Sequence, residues 1–151
     1  MLRVAAAVVA LLAALLVARF IHLSMTADPP GNLAAKSHSL APCPESPNCV
    51  SSQAKRDSQR VEALIVEGDP QGALERVEAA IESMDRSRIV SAGDGYLHAE
   101  FKSAVFRFVD DLELVYDAEL PGFQVRSASR VGYADMGTNR KRVEALRGLL
   151  G

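Results

Sequence analysis

The sequence predicts an α+β fold: an antiparallel β-sheet of four to five strands, two helices packed on it, and an N-terminal transmembrane or signal helix. Three observations lead to this prediction. An unbroken apolar run lies near the N-terminus, residues 96–101 alternate between apolar and polar side chains, and two later stretches carry apolar residues at helical spacing. The strand candidates between residues 88 and 130 follow one another along the chain, so we expect a meander.

Length and charge limit the classes of protein to which the chain can belong. Its 151 residues suffice for one domain and a targeting segment. The formal net charge is −2, and setting aside Arg3 and Arg19 of the N-terminal segment leaves −4 for the remainder. Nucleic-acid binding requires a basic surface, so we expect no nucleic-acid partner.

The apolar N-terminal segment is typical of an export signal or a membrane anchor. Arg3 precedes the apolar run 4–18, which is the order of charged and hydrophobic regions in such signals. When residues 20–23 are counted, the apolar part of segment 1–24 approaches the roughly 20 residues that cross a bilayer. The sequence around Ala18 fits a cleavage site poorly, so we expect an uncleaved signal anchor. A cleaved signal peptide and a buried soluble helix remain as alternatives.

The position of Arg3 also indicates on which side of the membrane the rest of the chain lies. Positive charge favours the cytoplasmic side, so we expect a single-pass inner-membrane protein with its domain on the periplasmic side. After cleavage the protein would instead be periplasmic or secreted. Residues 25–42 contain Pro, Gly, Asn and Ser and predict a flexible linker, and residues 43–151 predict the folded domain.

The two cysteines, Cys43 and Cys49, have five residues between them, two of which are prolines. Export compartments are oxidising, so a structural disulfide is the simplest expectation. The loop could also form part of a binding site. Redox or metal chemistry is disfavoured because the spacing is not C-x-x-C and only His98 could assist within the domain. We therefore expect neither a metal nor a cofactor.

Three stretches carry a resemblance to a known family. They are the cysteine motif 43–52, the stretch 106–111 (FRFVDD), and residues 125–135 followed by 139–143. Their order is similar to that of the DUF1499 family, a domain family of unknown function, and the likeness covers roughly residues 43–150. The resemblance implies a shared fold and a bacterial or plastid setting, and it brings no catalytic residues.

The first half of the domain predicts a strand, a helix and a hairpin. Residues 61–66 are rich in aliphatic side chains and predict a short strand. Asp69 precedes Pro70 as an N-cap would, and an apolar stripe follows in the predicted helix. Residues 88–91 and 96–101 predict two strands joined by the turn 92–95. The stripe consists of Leu74, Val77 and Ile81.

Residues 106–120 predict the longest strand, with a bulge or a break at Asp110–Asp111. Pro121–Gly122 predicts a turn, and residues 123–130 predict the returning strand. If that turn is centred on Pro121–Gly122, Arg126 lies opposite Asp117 and Arg130 opposite Glu113. Such pairing would make these arginines structural, whereas a shifted register would free them to bind an anionic ligand.

The last stretch predicts a C-terminal helix capped by Asp135 or Thr138. Val143, Leu146 and Leu150 form its apolar stripe. The other positions predict a basic outer face, which would either be solvated or meet phospholipid headgroups. The basic residues are Arg140, Lys141, Arg142 and Arg147.

Two functional hypotheses follow from these patterns. The first is a membrane-tethered, non-catalytic binding or structural module of the envelope, with the inner membrane and an unknown protein or small molecule as partners. Its ligand-binding candidates are Asn48, Ser51, Ser52, Arg107, Asp110, Asp111, Arg126, Arg130, Asp135 and Arg140. The second is an enzyme with an acid–base and anion-holding cluster. Its candidates are His98, Glu100, Asp110, Asp111, Arg126 and Arg130.

Overall fold

A computed structural model of the chain describes residues 2–34 and 39–151 and shows an α+β fold. The N-terminal helix α1 covers Leu2–Met25. Two short strands follow, β1 at Cys49–Ser51 and β2 at Leu64–Ile65, with a 3₁₀ turn at Asp57–Gln59 between them. The remaining elements are α2 (Pro70–Glu82), β3 (Ser87–Gly93), β4 (Tyr96–Lys102), β5 (Val109–Asp117), β6 (Gly122–Ser129) and α3 (Thr138–Leu150).

The six strands form one antiparallel sheet, and β3 to β6 make the expected meander. The spatial order is β1, β6, β5, β4, β3, and β2 also pairs with β6. Strand β2 covers two residues of the strand predicted at 61–66, whereas β1 is not among the predicted strands; both are short and pair with β6. The prediction of an antiparallel α+β domain is confirmed.

One face of the sheet packs against α2 and α3 and forms the hydrophobic core. The predicted stripes of both helices enter it, and Leu150 at the end of α3 is half-buried against it. Asp69 caps α2 as predicted, because its Oδ1 accepts the Gly72 backbone N–H at 2.9 Å. From the sheet the core receives mainly Leu97, Ala99, Phe101, Leu112, Leu114, Phe123 and Val125.

Three predictions about the strands 106–130 are wrong. Strand β5 runs without interruption through Asp110 and Asp111, because both pair regularly with β4 and β6. Residues 106–108 lie in the preceding loop, where Arg107 has a left-handed backbone with φ of 59°. The loop between β5 and β6 is residues 118–121, so Gly122 belongs to the strand and pairs with Asp117.

The position of Gly122 explains why the predicted register was wrong by four residues. Strand β2 crosses so close to Gly122 that a Cβ there would collide with the backbone carbonyl of Leu64. The glycine therefore serves the close approach of two strands rather than the turn. Arg126 consequently lies opposite Glu113 instead of Asp117.

Helix α1 stands apart from this core. Its span Arg3–Ser24 has a mean hydropathy of 2.6, and its apolar side chains are largely exposed. It is long and apolar enough to cross a membrane or to act as a signal sequence. Its last turn contacts the domain through Ser24, whose hydroxyl donates to the carbonyl of Arg107 at 2.8 Å.

Candidate functional site

The sheet face opposite α2 and α3 carries a buried group of charged side chains, which we call the ionic sheet face. It lies on β4, β5 and β6, where residues alternate with those of the core. Its members are His98, Glu100, Asp111, Glu113, Arg126 and Arg130, all of which are buried or nearly so. Buried charges persist only when paired, so the pairing pattern indicates what this face can do.

Arg130 is the centre of the larger of two ion-pair clusters on this face. Its Nε and Nη2 donate to both carboxylate oxygens of Asp111, at 2.9 and 2.7 Å. Nη2 also donates to Oε1 of Glu100 at 2.6 Å. The bidentate geometry fixes the guanidinium plane, so Arg130 holds β4 and β5 together from the end of β6.

His98 and Arg88 complete this cluster. His98 Nε2 lies 2.7 Å from Asp111 Oδ1, and it donates the hydrogen bond because an ionised carboxylate only accepts. Arg88 Nη2 donates to Glu100 Oε2 at 2.8 Å, with 64% of its side chain exposed. Both carboxylates are thus bound on two sides.

These contacts set the protonation state of the carboxylates. Burial alone would raise the pKa of Glu100, but the hydrogen bonds and charges of Arg88 and Arg130 outweigh it and lower that pKa. Burial of Asp111 is likewise outweighed by hydrogen bonds from Arg130 and His98, so its pKa is also lowered. The hydrogen bond to Asp111 in turn raises the pKa of Arg130.

Glu113 and Arg126 form the second cluster, directly across the β5–β6 pairing. Arg126 Nη1 donates to Glu113 Oε2 at 3.2 Å, and Tyr96 donates its hydroxyl to Glu113 Oε1, also at 3.2 Å. The side chain of Glu113 is fully buried. Arg126 keeps one buried donor, Nε, without a hydrogen-bond partner among the residues that the structure describes.

The chain segment after α1 lies over the ionic sheet face. Arg130 Nη1 donates to the carbonyl of Ala27 at 3.0 Å, and the backbone N–H of Ala34 donates to Glu113 Oε1 at 2.6 Å. Ala34 and Leu40 form a small apolar cluster with Tyr96 and Val115 on the same face. The residues expected to be a flexible linker therefore contact the domain, as far as they are described.

Asp110, one of the acid–base candidates, lies on the other face of the sheet. Its Oδ2 accepts from Arg142 Nη2 at 2.5 Å, beside the core. Arg142 also lies over the ring of Phe101, 4.7 Å from its centroid. The prediction that Arg142 belongs to a basic outer face is wrong, because the arginine is buried to neutralise Asp110.

The cysteine loop contains the expected disulfide between Cys43 and Cys49. Gln59 ties the loop to the 3₁₀ turn by donating to the carbonyls of Pro44 at 2.8 Å and Ser46 at 3.0 Å. A cleft of about 350 Å³ opens beside it, lined in part by Ser51 and Arg56. The disulfide loop is therefore one wall of a solvent-filled cleft.

Polar residues next to Cys49 attach β1 to the sheet. Asn48, within the disulfide loop, donates from Nδ2 to the carbonyl of Gly132 at 2.7 Å. Ser52 donates its hydroxyl to Oε1 of Gln124 in β6 at 2.6 Å. The hydroxyl of Ser51 instead accepts from the Gln53 N–H at 3.1 Å, within its own segment. Asn48 and Ser52 thus hold the start of the domain against β6 and the loop that follows it.

The remaining ligand-binding candidates make no ion pair with either cluster among the described residues. The N-cap residue of α3 is Gly137 and not Asp135 or Thr138 as predicted, although Asp135 accepts from the N–H groups of Gly137 and Asn139 just before and inside the first turn. Arg140 donates to the carbonyls of Ser58 and Arg60, at 2.9 and 2.7 Å. Arg107 lies in the exposed β4–β5 loop.

Sequence reasoning did not include Glu113, Tyr96 and Arg88 among its site candidates. The signal was present, because alternation in β4 and β5 places residues 96, 98 and 100 on the same face as 111 and 113. The covering segment left no such signal, since Ala27 and Ala34 contribute backbone groups rather than side chains. Across residues 2–34 and 39–151 there is no group of three His, Cys, Asp or Glu side chains placed to hold a metal ion.

Fold and site together define a class of protein. It is an α+β domain with an N-terminal disulfide loop and a buried ionic sheet face, preceded by an apolar helix. The chain belongs to the family described as Protein of unknown function (DUF1499), whose sequence model matches residues 39–150. Comparison with curated proteins and with solved structures finds no match.

Proposed function

We propose that this protein is a binding module of the cell envelope, held at the membrane by α1, and that its ionic sheet face binds a polypeptide segment. Helix α1 has the length and hydropathy of a span, and the disulfide suits an oxidising compartment on the far side of the membrane. The segment after α1 occupies the same face.

The observation that carries this proposal is the way in which the face holds that segment. Glu113 accepts a backbone N–H from Ala34, and Arg130 donates to a backbone carbonyl, that of Ala27. Backbone groups are common to every polypeptide, so these two side chains would recognise a chain segment largely independently of its sequence. Nε of Arg126, which has no partner among the described residues, supplies one further donor.

The enzyme hypothesis is the second candidate, and the contact between His98 and Asp111 is what favours it. Five of its six residues do converge on one face, while Asp110 lies on the other. General acid–base catalysis at neutral pH favours groups whose pKa lies near the operating pH. The lowered pKa values of Glu100 and Asp111 move both carboxyls away from that range. Binding therefore accounts for the face better than proton transfer.

A synthetic peptide corresponding to residues 26–42 tests the proposal when it is added to the full chain in detergent micelles. In the native chain the resident segment competes at an effective concentration of about millimolar and blocks the peptide. Ala34→Asp places a second carboxylate beside Glu113 and should release the resident segment. Fluorescence anisotropy of the labelled peptide should therefore show binding to the Ala34→Asp variant, at least about tenfold tighter than to the native chain.

Two controls make the result specific. Asn32→Asp adds the same charge at an exposed position of the same segment and should leave the peptide excluded. A peptide with proline at the position of Ala34 lacks the N–H donor and should bind the Ala34→Asp variant more weakly than the native peptide. If the Ala34→Asp variant binds neither peptide while its far-UV circular dichroism is unchanged, the ionic sheet face is not a polypeptide-binding surface.

A further inference from the structure

The loop between β4 and β5, residues 103–108, presents apolar side chains to solvent. Val105 is 72% exposed and Phe106 is 40% exposed. The rings of Phe106 and Phe108 lie 5.6 Å apart. Such a pair at a loop tip is costly in water unless another apolar phase covers it.

The position of this loop relative to α1 indicates which phase that is. Phe106 and Phe108 line an apolar groove of about 470 Å³ together with Ala13, Leu16, Val17 and Phe20 of the helix. The hydrogen bond from Ser24 to the Arg107 carbonyl places Arg107 level with the end of the candidate span. At 1.5 Å per residue, Phe20 lies about 6 Å and Ala13 about 16 Å below Ser24 along the helix. The phenylalanines thus lie beside the outer half of the span.

Positive charges surround the base of the same loop. Arg86, Arg88, Lys102 and Arg107 line a notch of about 250 Å³ whose one acidic side chain is Glu100. Arg88 is paired with Glu100, whereas Lys102 and Arg107 have no ion pair among the described residues. Apolar side chains below a ring of cations are the arrangement of residues that lie at a membrane interface.

We propose that the 103–108 loop is a second membrane contact, with Val105 and Phe106 in the acyl layer beside α1 and Lys102 and Arg107 at anionic phospholipid headgroups. The inference rests on the membrane attachment in the proposed function and does not depend on polypeptide binding. Two attachment points would fix the orientation of the sheet relative to the bilayer, which a single helix cannot do.

The absence of tryptophan from the sequence allows a direct test. Phe106→Trp provides a single fluorophore in the loop. Ile65→Trp provides a matched control, because Ile65 is 51% exposed and lies in β2, at the opposite end of the sheet. The full chain carrying either variant is reconstituted into phosphatidylcholine vesicles, with or without acyl-brominated lipid, which quenches tryptophan on contact. The emission of the Phe106→Trp variant should be blue-shifted in vesicles, and brominated lipid should quench most of it. The emission of the Ile65→Trp variant should be the same with and without brominated lipid.

A second comparison tests the headgroup contact. Brominated lipid should quench the Phe106→Trp variant more strongly in vesicles of equal parts phosphatidylcholine and phosphatidylglycerol than in vesicles of phosphatidylcholine alone. Adding Lys102→Gln and Arg107→Gln to this variant should remove the increase. Equal quenching in both kinds of vesicle would overturn the headgroup contact.

Resistance to alkaline carbonate extraction separates this inference from the proposed function. If the chain leaves the vesicles, membrane attachment by α1 is wrong and the loop contact falls with it. If the chain stays but Phe106→Trp is quenched no more than Ile65→Trp, the attachment holds and the loop contact is overturned.

Discussion

Replacing Arg130 by methionine tests how strongly the ionic sheet face depends on its central cation. Arg130 neutralises two carboxylates, Glu100 at 2.6 Å and Asp111 at 2.7 Å, and 6% of its side chain is exposed. Methionine keeps an unbranched apolar side chain but leaves both carboxylates without this partner. Removing one partner of a buried ion pair costs about 3–5 kcal/mol. We therefore expect the free energy of unfolding to fall by that amount and the melting temperature by roughly 10–15 °C.

The effect should depend on pH in a defined direction. In the native protein the pKa values of Glu100 and Asp111 are lowered, so both carboxylates stabilise the fold at any pH above the ordinary carboxyl pKa. This contribution is lost as the pH falls through their pKa values in the folded state. In the variant, burial without the guanidinium raises both pKa values, so protonation relieves the unpaired charge. The difference in unfolding free energy between the native protein and the Arg130→Met variant should therefore be smaller at about pH 4 than at pH 7.

Urea unfolding of the full chain in detergent, followed by far-UV circular dichroism at both pH values, measures these differences. Arg88→Met is the matched control, because Arg88 pairs with the same Glu100 but is 64% exposed. It should cost about 0–1 kcal/mol. A cost below about 1 kcal/mol for Arg130→Met at pH 7, or a difference that does not narrow at pH 4, would refute the reasoning.

Three further predictions concern the frame around the site. Replacing Cys43 and Cys49 by serine should lower the unfolding free energy by about 2 kcal/mol, because the disulfide closes a short loop. The measurement compares the variant with the native chain, with and without reductant. Asp69→Ala should cost about 1 kcal/mol through loss of the α2 cap, whereas an unchanged urea midpoint would contradict the cap. Gly122→Ala should strongly lower the unfolding free energy, because the added Cβ collides with β2. Gly148→Ala, at an open position of α3, should raise the unfolding free energy by about 1 kcal/mol. Equal changes in the melting temperature of the two variants would contradict the close approach of β2 to Gly122.

Much of the fold could be predicted because periodicity alone determines which side chains share a face. Alternation in residues 96–101 places Leu97 and Phe101 in the core and His98 on the other face, and the structure confirms this. The helix stripes were predictable for the same reason. Each of these inferences uses neighbours in the sequence, for which spacing is sufficient information.

The register of β5 against β6 could not be predicted because it depends on a distant contact. Pro121–Gly122 has the composition of a turn, but the glycine is required where β2 crosses β6. Nothing near Gly122 in the sequence indicates that crossing. The four-residue difference then decides which carboxylate Arg126 meets.

The candidate site was predicted in part. The acid–base list contained His98, Glu100, Asp111 and Arg130, which do converge. It also contained Asp110, which the structure places on the opposite face of the sheet. In an uninterrupted strand two neighbours point to opposite faces, so only one of the pair can join the cluster.

The covering segment tests most directly the central claim that the ionic sheet face holds a polypeptide segment through its backbone. The measurement is amide hydrogen exchange at Ala34 in the full chain, with exposed Asn32 of the same segment as the internal reference. Because Ala34 donates its N–H to buried Glu113, its exchange should be slower than that of Asn32 by on the order of a hundredfold. Exchange of both amides at the rate of an unstructured chain would contradict the account.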